Sequence, residues 1–442
     1  MDGSTLRRGV ASMLERGDRR GARGACIAFI AERPADLAGY QSLGAVLEAE
    51  GDKAAATECY LGQLPPAVEA AAFPLPEYAA PAGRSGVDWV EAHTSERHAI
   101  RSPSARIPPL AARAGRGLVS NPTGTCVVEH GSLWHDGHNT VALDARGRVV
   151  REVLTGSAGA VLARHRRRVP KRFAGDVVLL GARGSMNYFH WMTDILPKIA
   201  ILERSGIDWR GATYVVPNVI LPFQKETLAM LGIDAARVHE SRVHGEYVSA
   251  DRLLIPRLDN MMCVTMGSWV SPFLRERFGA PEPRSRDRRL LVTRDPEASH
   301  GRGLGNVAEV NDFYAALGYE IVIPDRHGVR EQFALFAAAS HVAGPHGAGL
   351  TNLHFCLPGT EVFEFYGDHL APCYWALSEL AGLDYLNCAG ERADQLQHDP
   401  LAAARSIDAR RSRGFTVSLD ALRAMHAGAG AGTSASPHRD AA

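Results

Sequence analysis

"GPHGAGLTN", residues 344–352, lies between the apolar run "QFALFAAASHVA" and the segment "LHFCLPGTEVFEFY". The residues before it are typical of a strand and those after it of a helix. The turn is therefore predicted at the carboxyl end of a parallel strand, the edge where α/β sheets bind ligands. Gly347 and Gly349 would let the backbone approach a ligand, and N–H groups from Ala348 to Thr351 at a helix start favour a phosphate or diphosphate. A tight turn that binds nothing would need the same glycines.

Short strands alternate with helices on both sides of this turn. The first alternating unit contains the helix "YFHWMTDILPKIAILERSG" and the strands "TYVVPN" and "RLLIPR", and the second runs from "RLLVTRD" to "TEVFEFY". Such alternation is typical of a parallel sheet covered on both faces. The polar break "GAPEPRSRDR" separates the two units, and a β-rich stretch precedes the first. The sequence therefore predicts an α/β fold with two Rossmann-like, doubly wound domains facing each other across a cleft.

The N-terminal residues repeat themselves. Gly17-Asp18 and Gly51-Asp52 are 34 residues apart, which is the tetratricopeptide period. Two repeats are fewer than an independent stack needs, so a helical hairpin used for packing and a groove for a partner are both open. The predicted segments are tetratricopeptide-like (TPR-like) helices (1–66), an irregular linker (67–118), a first α/β domain with a β-rich start (119–280), a second, Rossmann-like domain (281–426) and a disordered tail (427–442).

Composition argues against several function classes. The 442 residues include 49 Lys plus Arg and 49 Asp plus Glu, and this balance argues against a broad surface for nucleic acid or anionic membrane. The seven cysteines form no C-x-x-C pair, so neither a disulfide framework nor a zinc site is predicted. No apolar signal region and no stretch of about 18 apolar residues occurs. We therefore expect no transmembrane segment and a cytoplasmic location, either in solution or peripheral at the inner face of the membrane.

Charged side chains flank the glycine-rich turn in the predicted sheet. Arg294 follows the strand "LLVTRD", Arg302 lies in the polar loop after it, and His346 lies in the turn itself. With the hydroxyl of Thr351 they could bind a diphosphate, since each charge-assisted hydrogen bond contributes roughly 1.5–3 kcal/mol. Glu364, in the next strand, is placed to accept hydrogen bonds from ribose hydroxyls. A surface arginine at 302 and a solvated strand end at 364 are the alternatives.

Asn187, His190 and Asp194 fall at the start of the first long helix. Spacings of three and four residues place them on one helical face. The His and Asp could act as general base toward a hydroxyl, the Asp either directly or by orienting the imidazole. An asparagine cap followed by a buried histidine would have the same spacing. No D-x-D, H-x-x-x-H or Cys/His cluster with metal spacing occurs, so no metal requirement and no other cofactor is predicted.

The order of three segments, "NYFHWMTDILPKI", "LLVTRDPEASHGRGLGNVAEV" and "GPHGAGLTNLHFCLPGTEVFEFY", resembles glycosyltransferase family 61, including bacterial capsular polysaccharide biosynthesis proteins. The resemblance implies an inverting, metal-independent enzyme of the two-Rossmann GT-B type that uses a nucleotide-diphosphate sugar. By position, the family's motif residues fall on Asn187, His190, Asp194, Arg294, Arg302, His346, Gly347, Ala348, Gly349, Asn352 and Glu364.

These assignments predict a division of roles. The first α/β domain would present an acceptor hydroxyl, with His190 or Asp194 as base. The second would hold the donor, with the diphosphate on residues 347–351 and the ribose on Glu364.

One loop departs from the family pattern. The family commonly has Asn-Glu after its second arginine, whereas this chain has Asn306-Val307, with Glu309 two positions later. The departure favours one alternative, a non-catalytic scaffold whose repeats recruit a polysaccharide-assembly partner or a second copy. Another alternative is a protein O-glycosyltransferase that uses the repeats to hold a polypeptide acceptor.

Overall fold

The structure is a computed structural model of the 442-residue chain. It describes residues 1–34, 36–73, 76–83, 86–100, 117–137, 139–165, 169–182, 184–241, 246–260, 263–279, 283, 285–294, 303–367, 371–390 and 414–432. Arg302, most of the predicted linker after residue 100, part of the polar break at 280–284 and the last ten residues of the predicted tail lie outside this part of the chain.

Helices occur along the whole described chain. In chain order they are α1 (Gly3–Glu15), α2 (Arg19–Glu32), α3 (Leu37–Ala49), α4 (Lys53–Tyr60), α5 (Pro66–Ala72), α6 (Ala158–His165), α7 (Tyr188–His190), a π-helical turn (Trp191–Ile195), α8 (Lys198–Arg204), α9 (Pro222–Met230), α10 (Val270–Phe278), α11 (Val307–Ala316), α12 (Val329–Ala337), a 3₁₀ helix (Ala348–Phe355), α13 (Cys373–Ala381) and α14 (Leu419–Gly432).

The strands are short and form several sheets. They are β1 (Val87–His93), β2 (Arg97–His98), β3 (Leu118–Val119), β4 (Thr123–Glu129), β5 (Ser132–His135), β6 (Thr140–Leu143), β7 (Lys171–Arg172), β8 (Asp176–Leu179), β9 (Thr213–Val216), β10 (Val238–Glu240), β11 (Glu246–Ser249), β12 (Arg252–Arg257), β13 (Arg288–Val292), β14 (Glu320–Val322), β15 (Ala339–Pro345), β16 (Glu361–Tyr366) and β17 (Asp384–Ala389). The protein is thus a mixed α/β protein.

Two compact units divide the described residues. Unit 1 comprises those within Met1–Thr94 and Pro122–Leu258, and unit 2 those within Ser95–Asn121, Asp259–Asp399 and Ser406–Ala442. Each unit has its own large sheet and its own buried apolar cluster.

The N-terminal helices of unit 1 begin in the same way. Asp2, Asp18, Asp36 and Asp52 each precede one of the helices α1 to α4 and accept a hydrogen bond from a backbone N–H of its first turn. Such caps satisfy donors that the helix itself leaves unpaired. Glycines with positive φ, at 17 and 51, end α1 and α3. The helices bury one shared core that also includes Ala160 of α6, so this segment packs on the α/β part of unit 1. The TPR-like assignment of these helices stays a prediction.

The large sheet of unit 1 has six strands in the order β1-β4-β12-β8-β9-β10. The half that runs from β12 to β10 is parallel, whereas β1 and β4 are antiparallel to their neighbours. A second sheet, β6-β5-β11-β7, accounts for the predicted β-rich start. Residues 87–93 differ from the irregular structure predicted for 67–118. They form the edge strand β1, whose mixed polar and apolar residues are only partly buried, so the sequence lacks the apolar signal of a central strand.

The large sheet of unit 2 is entirely parallel, in the order β14-β13-β15-β16-β17. In terms of chain order this is 2-1-3-4-5, the doubly wound arrangement in which ligands bind where the strand order reverses, here between β13 and β15. Buried aliphatic residues fill its strands, as expected for a sheet covered on both faces.

Two further predictions need correction. Disorder was expected from residue 427, but α14 continues to Gly432, because the alternating alanines favour the helix enough to offset the glycines. The segment after the glycine-rich turn forms a 3₁₀ helix, which is tighter than the α-helix that the sequence predicts. No helix among the described residues is long and apolar enough to cross a membrane.

Candidate functional site

The helix that carries Asn187, His190 and Asp194 contains a wider π turn. It follows β8, so it begins at the carboxyl end of the parallel part of the unit 1 sheet. The Leu196 N–H donates to the carbonyl of Trp191, five residues back, at 3.0 Å. Pro197 has no N–H to bond the carbonyl four residues earlier and its ring crowds that position, which accounts for the widening. Such π turns occur frequently at functional sites.

His190 and Asp194 form a close pair on this helix. His190 Nδ1 lies 2.6 Å from Asp194 Oδ2, and the two side chains are 28% and 14% exposed. Thr193 Oγ1 donates to the backbone of Phe189 at 2.6 Å and lies 3.2 Å from the other carboxylate oxygen of Asp194. The predicted spacing therefore yields a contact between a carboxylate and one ring nitrogen. In this arrangement the carboxylate fixes the ring, and any proton taken from a ligand would go to Nε2.

The loop before the helix holds His190 from the other side. Gly184 has φ of +81°, and a Cβ at this position would lie 2.5 Å from Cδ2 of the His190 ring. Asn187 is exposed and its side-chain oxygen accepts from the Phe189 N–H at 2.9 Å, so it caps the helix. The cap role that the sequence offered as an alternative is present. Its predicted contact with a substrate stays a prediction.

Two buried residues that the sequence analysis missed hold this loop in place. The ammonium of Lys198 donates to the carbonyl of Gly181, at the start of the loop. The Gln224 side chain of α9 donates to the carbonyls of Ser185 and Asn218, both at 3.1 Å, and accepts from the N–H groups of residues 220 and 221. In the sequence, the role of Lys198 and that of Gln224 are indicated only by the presence of a polar residue on a predicted apolar helix face.

In unit 2, Arg294 and the glycine-rich turn meet at the point where the strand order reverses. Arg294 follows β13, and His346 follows the neighbouring strand β15. The guanidinium Nη2 donates to the carbonyl of His346 at 3.3 Å. A Cβ on Gly347 would lie 2.4 Å from that nitrogen, so any side chain there would displace the guanidinium from this position. The N–H groups of Ala348 and Gly349 open the 3₁₀ helix, where no earlier helical carbonyl can accept from them.

Two residues predicted to touch the donor, Thr351 and Asn352, are instead packed inside unit 2. A Cβ on Gly349 would lie 2.9 Å from Val292 Cγ1, so this glycine also allows close packing against β13. Thr351 is 1% exposed and Asn352 is fully buried. The Asn352 amide donates to Gln332 at 2.8 Å, and Thr351 Oγ1 lies 3.5 Å from the hydroxyl of Tyr374. On the 3₁₀ helix these two side chains face the core.

Glu364 also differs from its predicted role. Its side chain has no exposed surface, and its carboxylate binds His346 Nδ1 at 2.6 Å. Tyr366 and Tyr385 donate to its second oxygen at 2.9 and 2.5 Å. A ribose therefore has no access to this carboxylate. The tyrosines were missed, although Tyr366 lies two residues after Glu364 and thus on the same face of its strand.

The loop that departs from the family pattern has a structural role. The Asn306 side chain donates to the carbonyl of Val417 at 2.9 Å and accepts from its N–H at 3.3 Å. It also lies 3.3 Å from Glu309. Asn306 therefore joins the start of α11 to the segment before α14. Arg302 lies outside the described residues, so its predicted contact stays a prediction.

Metal ligands do not cluster within the described part of the chain, where no group of three or more His, Cys, Asp or Glu side chains could hold a metal ion. All seven cysteines are buried and unpaired as disulfides.

The sequence matches the model of the family described as Glycosyltransferase 61 over residues 188–363. This segment contains His190, Asp194, Arg294 and His346, and ends one residue before Glu364. A search of curated proteins returned no match. Among solved structures, the bacterial iron-containing dodecameric glycosyltransferase TibC from enterotoxigenic E. coli H10407 aligns over 80% of this chain and 99% of that chain, with 10% identity and a TM-score of 0.26. That likeness is too weak to carry an argument about this chain.

Proposed function

We propose that this chain, whose residues 188–363 match the model of glycosyltransferase family 61, is a family member and an inverting transferase that moves a sugar from a nucleotide-diphosphate donor to a glycan hydroxyl without a metal ion. The GT-B arrangement of two Rossmann-like domains, with the donor in unit 2 and the acceptor-activating base in unit 1, is part of this proposal. The product would be a capsular polysaccharide, exopolysaccharide or other surface glycan, made in the cytoplasm or at the inner face of the membrane.

The donor's diphosphate binds Arg294, His346 and the N–H groups at the start of the 3₁₀ helix. The support is that Arg294 and His346 touch each other at the reversal of a parallel sheet of order 2-1-3-4-5. A guanidinium and backbone N–H groups held in fixed positions stabilise the charge that develops on a leaving diphosphate.

The acceptor hydroxyl is activated by the His190–Asp194 pair. The imidazole Nε2 removes the hydroxyl proton while Asp194 holds Nδ1 and stabilises the imidazolium that forms. The acceptor oxygen then bonds to the anomeric carbon as the bond from that carbon to the diphosphate oxygen breaks, with its electron pair leaving on the diphosphate. Attack opposite the leaving group inverts the anomeric centre.

The observation that carries this proposal is the family match, because one segment spans both the His190–Asp194 pair and the Arg294–His346 contact. The test is a panel of nucleotide-diphosphate sugars, read out as release of nucleoside diphosphate, with and without EDTA. We expect one donor to be used and EDTA to leave the rate unchanged. Asp194→Asn should abolish transfer but bind the donor like the parent protein. Full activity of that variant would show that the His190–Asp194 pair does not activate the acceptor hydroxyl.

The two alternative functions lead to different results in the same panel. A protein O-glycosyltransferase would transfer to polypeptide and not to glycan acceptors, and the helices α1 to α4 would hold that polypeptide. A non-catalytic scaffold would bind no nucleotide sugar. The altered Asn306-Val307 loop was the best sequence support for a scaffold, but Asn306 has a structural role that such a loop can serve in an active enzyme.

A further inference from the structure

We propose that Glu364, together with Tyr366 and Tyr385, is a positioning residue that fixes the His346 ring for the diphosphate, and does not bind the donor's ribose. The inference rests on the proposed function, because it assigns roles within the same donor site. It concerns residues of unit 2 only.

Both oxygens of the Glu364 carboxylate have hydrogen-bond partners within unit 2. The side chain is fully buried. One oxygen accepts from His346, and the other lies within hydrogen-bond distance of both Tyr366 and Tyr385. A buried carboxylate is costly unless it is paired and hydrogen-bonded, and these three donors supply that requirement. A ribose hydroxyl could reach the carboxylate only by displacing a buried tyrosine.

The two tyrosines keep their protons and can act as donors at neutral pH. Burial, followed by the charge of Glu364, raises the pKa of both phenols well above the usual value. Their hydroxyls also lie 2.9 Å from each other. The pair therefore forms a fixed donor set for the carboxylate inside the core of unit 2.

The His346 ring is consequently held on several sides. Its Nδ1 is bound to Glu364, and its ring stacks on Tyr366 with a centroid distance of 5.2 Å and an interplanar angle of 19°. The ring of Tyr374 packs at the same centroid distance with a tilt of 55°. With Nδ1 bound to the carboxylate, a polar contact between the ring and a diphosphate has to use Nε2.

Isothermal titration calorimetry with ligands that have or lack the ribose 2′-hydroxyl distinguishes the two possible roles of Glu364, which are to fix the His346 ring or to bind the ribose. The ligands are uridine and guanosine diphosphate, their 2′-deoxy forms and inorganic diphosphate. We expect Glu364→Gln to weaken all of them by roughly tenfold or more, as for loss of a charge-assisted hydrogen bond. The ratio of the dissociation constants of the ribo and 2′-deoxy forms should stay at the value of the parent protein. If this ratio falls to about one in Glu364→Gln while the affinity for inorganic diphosphate is unchanged, Glu364 binds the ribose and the inference is wrong.

The tyrosines provide graded and control variants. Tyr366→Phe with Tyr385→Phe keeps the aromatic packing but removes both donors, and should weaken diphosphate binding less than Glu364→Gln does. Tyr319→Phe alters another buried tyrosine of unit 2, whose hydroxyl has no hydrogen-bond partner among the described residues, and should bind like the parent. If the double variant binds diphosphate like the parent protein, the two tyrosine hydroxyls do not help to position His346.

A readout without ligand distinguishes failure of this inference from failure of the proposed function. Nitrogen NMR of ¹⁵N-histidine-labelled protein, with the His346 signals assigned by their loss in His346→Gln, reports which ring nitrogen carries the proton. We expect a proton on Nδ1 in the parent and exchange between the two nitrogens in Glu364→Gln. A parent that binds no nucleotide but shows this pattern would contradict the proposed function alone. Unchanged signals in Glu364→Gln would contradict the positioning role.

Discussion

At the scale of single residues, the glycines near the two sites serve different needs. Gly347 has an extended backbone, with φ of 169°, that any residue can adopt, and what its missing side chain provides is the space that the Arg294 guanidinium occupies. Gly184 has both constraints, because its φ is positive and its missing side chain makes room for the His190 ring. Substitution at Gly184 should therefore affect both stability and catalysis.

We predict that Gly184→Ala lowers kcat of sugar transfer by roughly tenfold to a hundredfold, because the new methyl group displaces a catalytic ring. The matched control is Gly232→Ala, where φ is +74° but no atom lies within 4 Å of the added carbon. Both variants should lose about 1–2 kcal/mol of stability from the left-handed backbone. Steady-state kinetics and urea unfolding measure the two effects. Equal losses of kcat in both variants would show that the contact with His190 is irrelevant.

At this scale, the sequence predicts contacts within one helix better than contacts between strands. The spacing of His190 and Asp194 predicts a shared helical face, and the structure brings their side chains into contact. The burial of Glu364 was not predictable in the same way. It depends on Tyr385, which comes from the adjacent strand and is 21 residues away in sequence. Local patterns carry no information on such a partner until the strand order is known.

At the scale of secondary-structure elements, the 3₁₀ helix Ala348–Phe355 depends on a residue from α10. The Arg275 guanidinium donates to the carbonyls of residues 354 and 356 at 3.2 and 3.1 Å, where the helix ends. A helix end leaves such carbonyls without partners of its own. Burial lowers the pKa of Arg275, and in this partly desolvated position the two carbonyls accept hydrogen bonds from its guanidinium.

We predict that Arg275→Met destabilises the protein by about 1–3 kcal/mol, because it leaves buried carbonyls without donors. Glu276→Met, on the same helix, changes an exposed side chain and is the control. Substitutions at such surface positions usually change stability by less than about 0.5 kcal/mol, so the control should cost less. Urea unfolding curves measure the difference. The capping role would be refuted by equal stability of the two variants.

Elements also differ in how well the sequence predicts them. The centres of β13, β15 and β16 are buried and mainly apolar, which leaves a strong signal, and the sequence predicts these three strands as well as β14. The π turn at 191–195 was not predicted. Its cause, Pro197, is visible in the sequence, but a proline within a helical pattern also predicts a kink or a helix end, and only the surrounding packing selects among the three.

At the scale of the whole molecule, the stability of unit 2 should depend on pH through two histidines, of which His354 is buried and His426 is partly buried. Burial, followed by the charge of Arg275, lowers the pKa of His354 from 6.5 to about 3. Burial, followed by His341 and Arg289, lowers the pKa of His426 to about 4. His354 lies 2.8 Å from Ser271, and His426 packs on Phe363 with a centroid distance of 4.0 Å. Both rings are therefore neutral in the folded protein near neutral pH.

The sign of the effect follows from proton binding. Between pH 6.5 and about 4 the unfolded chain binds protons at these two positions, whereas the folded protein does not. The free energy of unfolding therefore decreases as the pH falls through this range, and it has its full value above pH 6.5. We predict a lower urea midpoint at pH 5 than at pH 7.5. His426→Phe keeps an aromatic ring against Phe363 without a titrating group, and should reduce the difference. The same pH difference in parent and variant would show that His426 makes no contribution.

A buried carbonyl helps to join the helices α1 to α4 to the rest of unit 1. The carbonyl of Pro34, in the connection between α2 and α3, accepts from Tyr40 Oη at 2.7 Å and from Asn139 Nδ2 at 3.0 Å. Tyr40 belongs to the helical segment itself, whereas Asn139 lies just before β6 in the small sheet. Asn139 also bonds Asp136 and the Ser157 N–H, so one side chain links three parts of the unit.

We predict that Tyr40→Phe and Asn139→Ala are not additive, because they share this acceptor. Each single change leaves the Pro34 carbonyl one donor, whereas the double variant leaves a buried carbonyl with neither. The double variant should therefore lose about 1 kcal/mol more than the sum of the single losses in urea unfolding. Tyr60→Phe, which removes a hydrogen bond to Glu48 elsewhere in the helical segment, is the control partner and should add to Asn139→Ala without coupling. Additivity in both pairs would mean that the helical segment is held to unit 1 by apolar packing alone, and that the contact between Asn139 and Pro34 does not contribute to joining them.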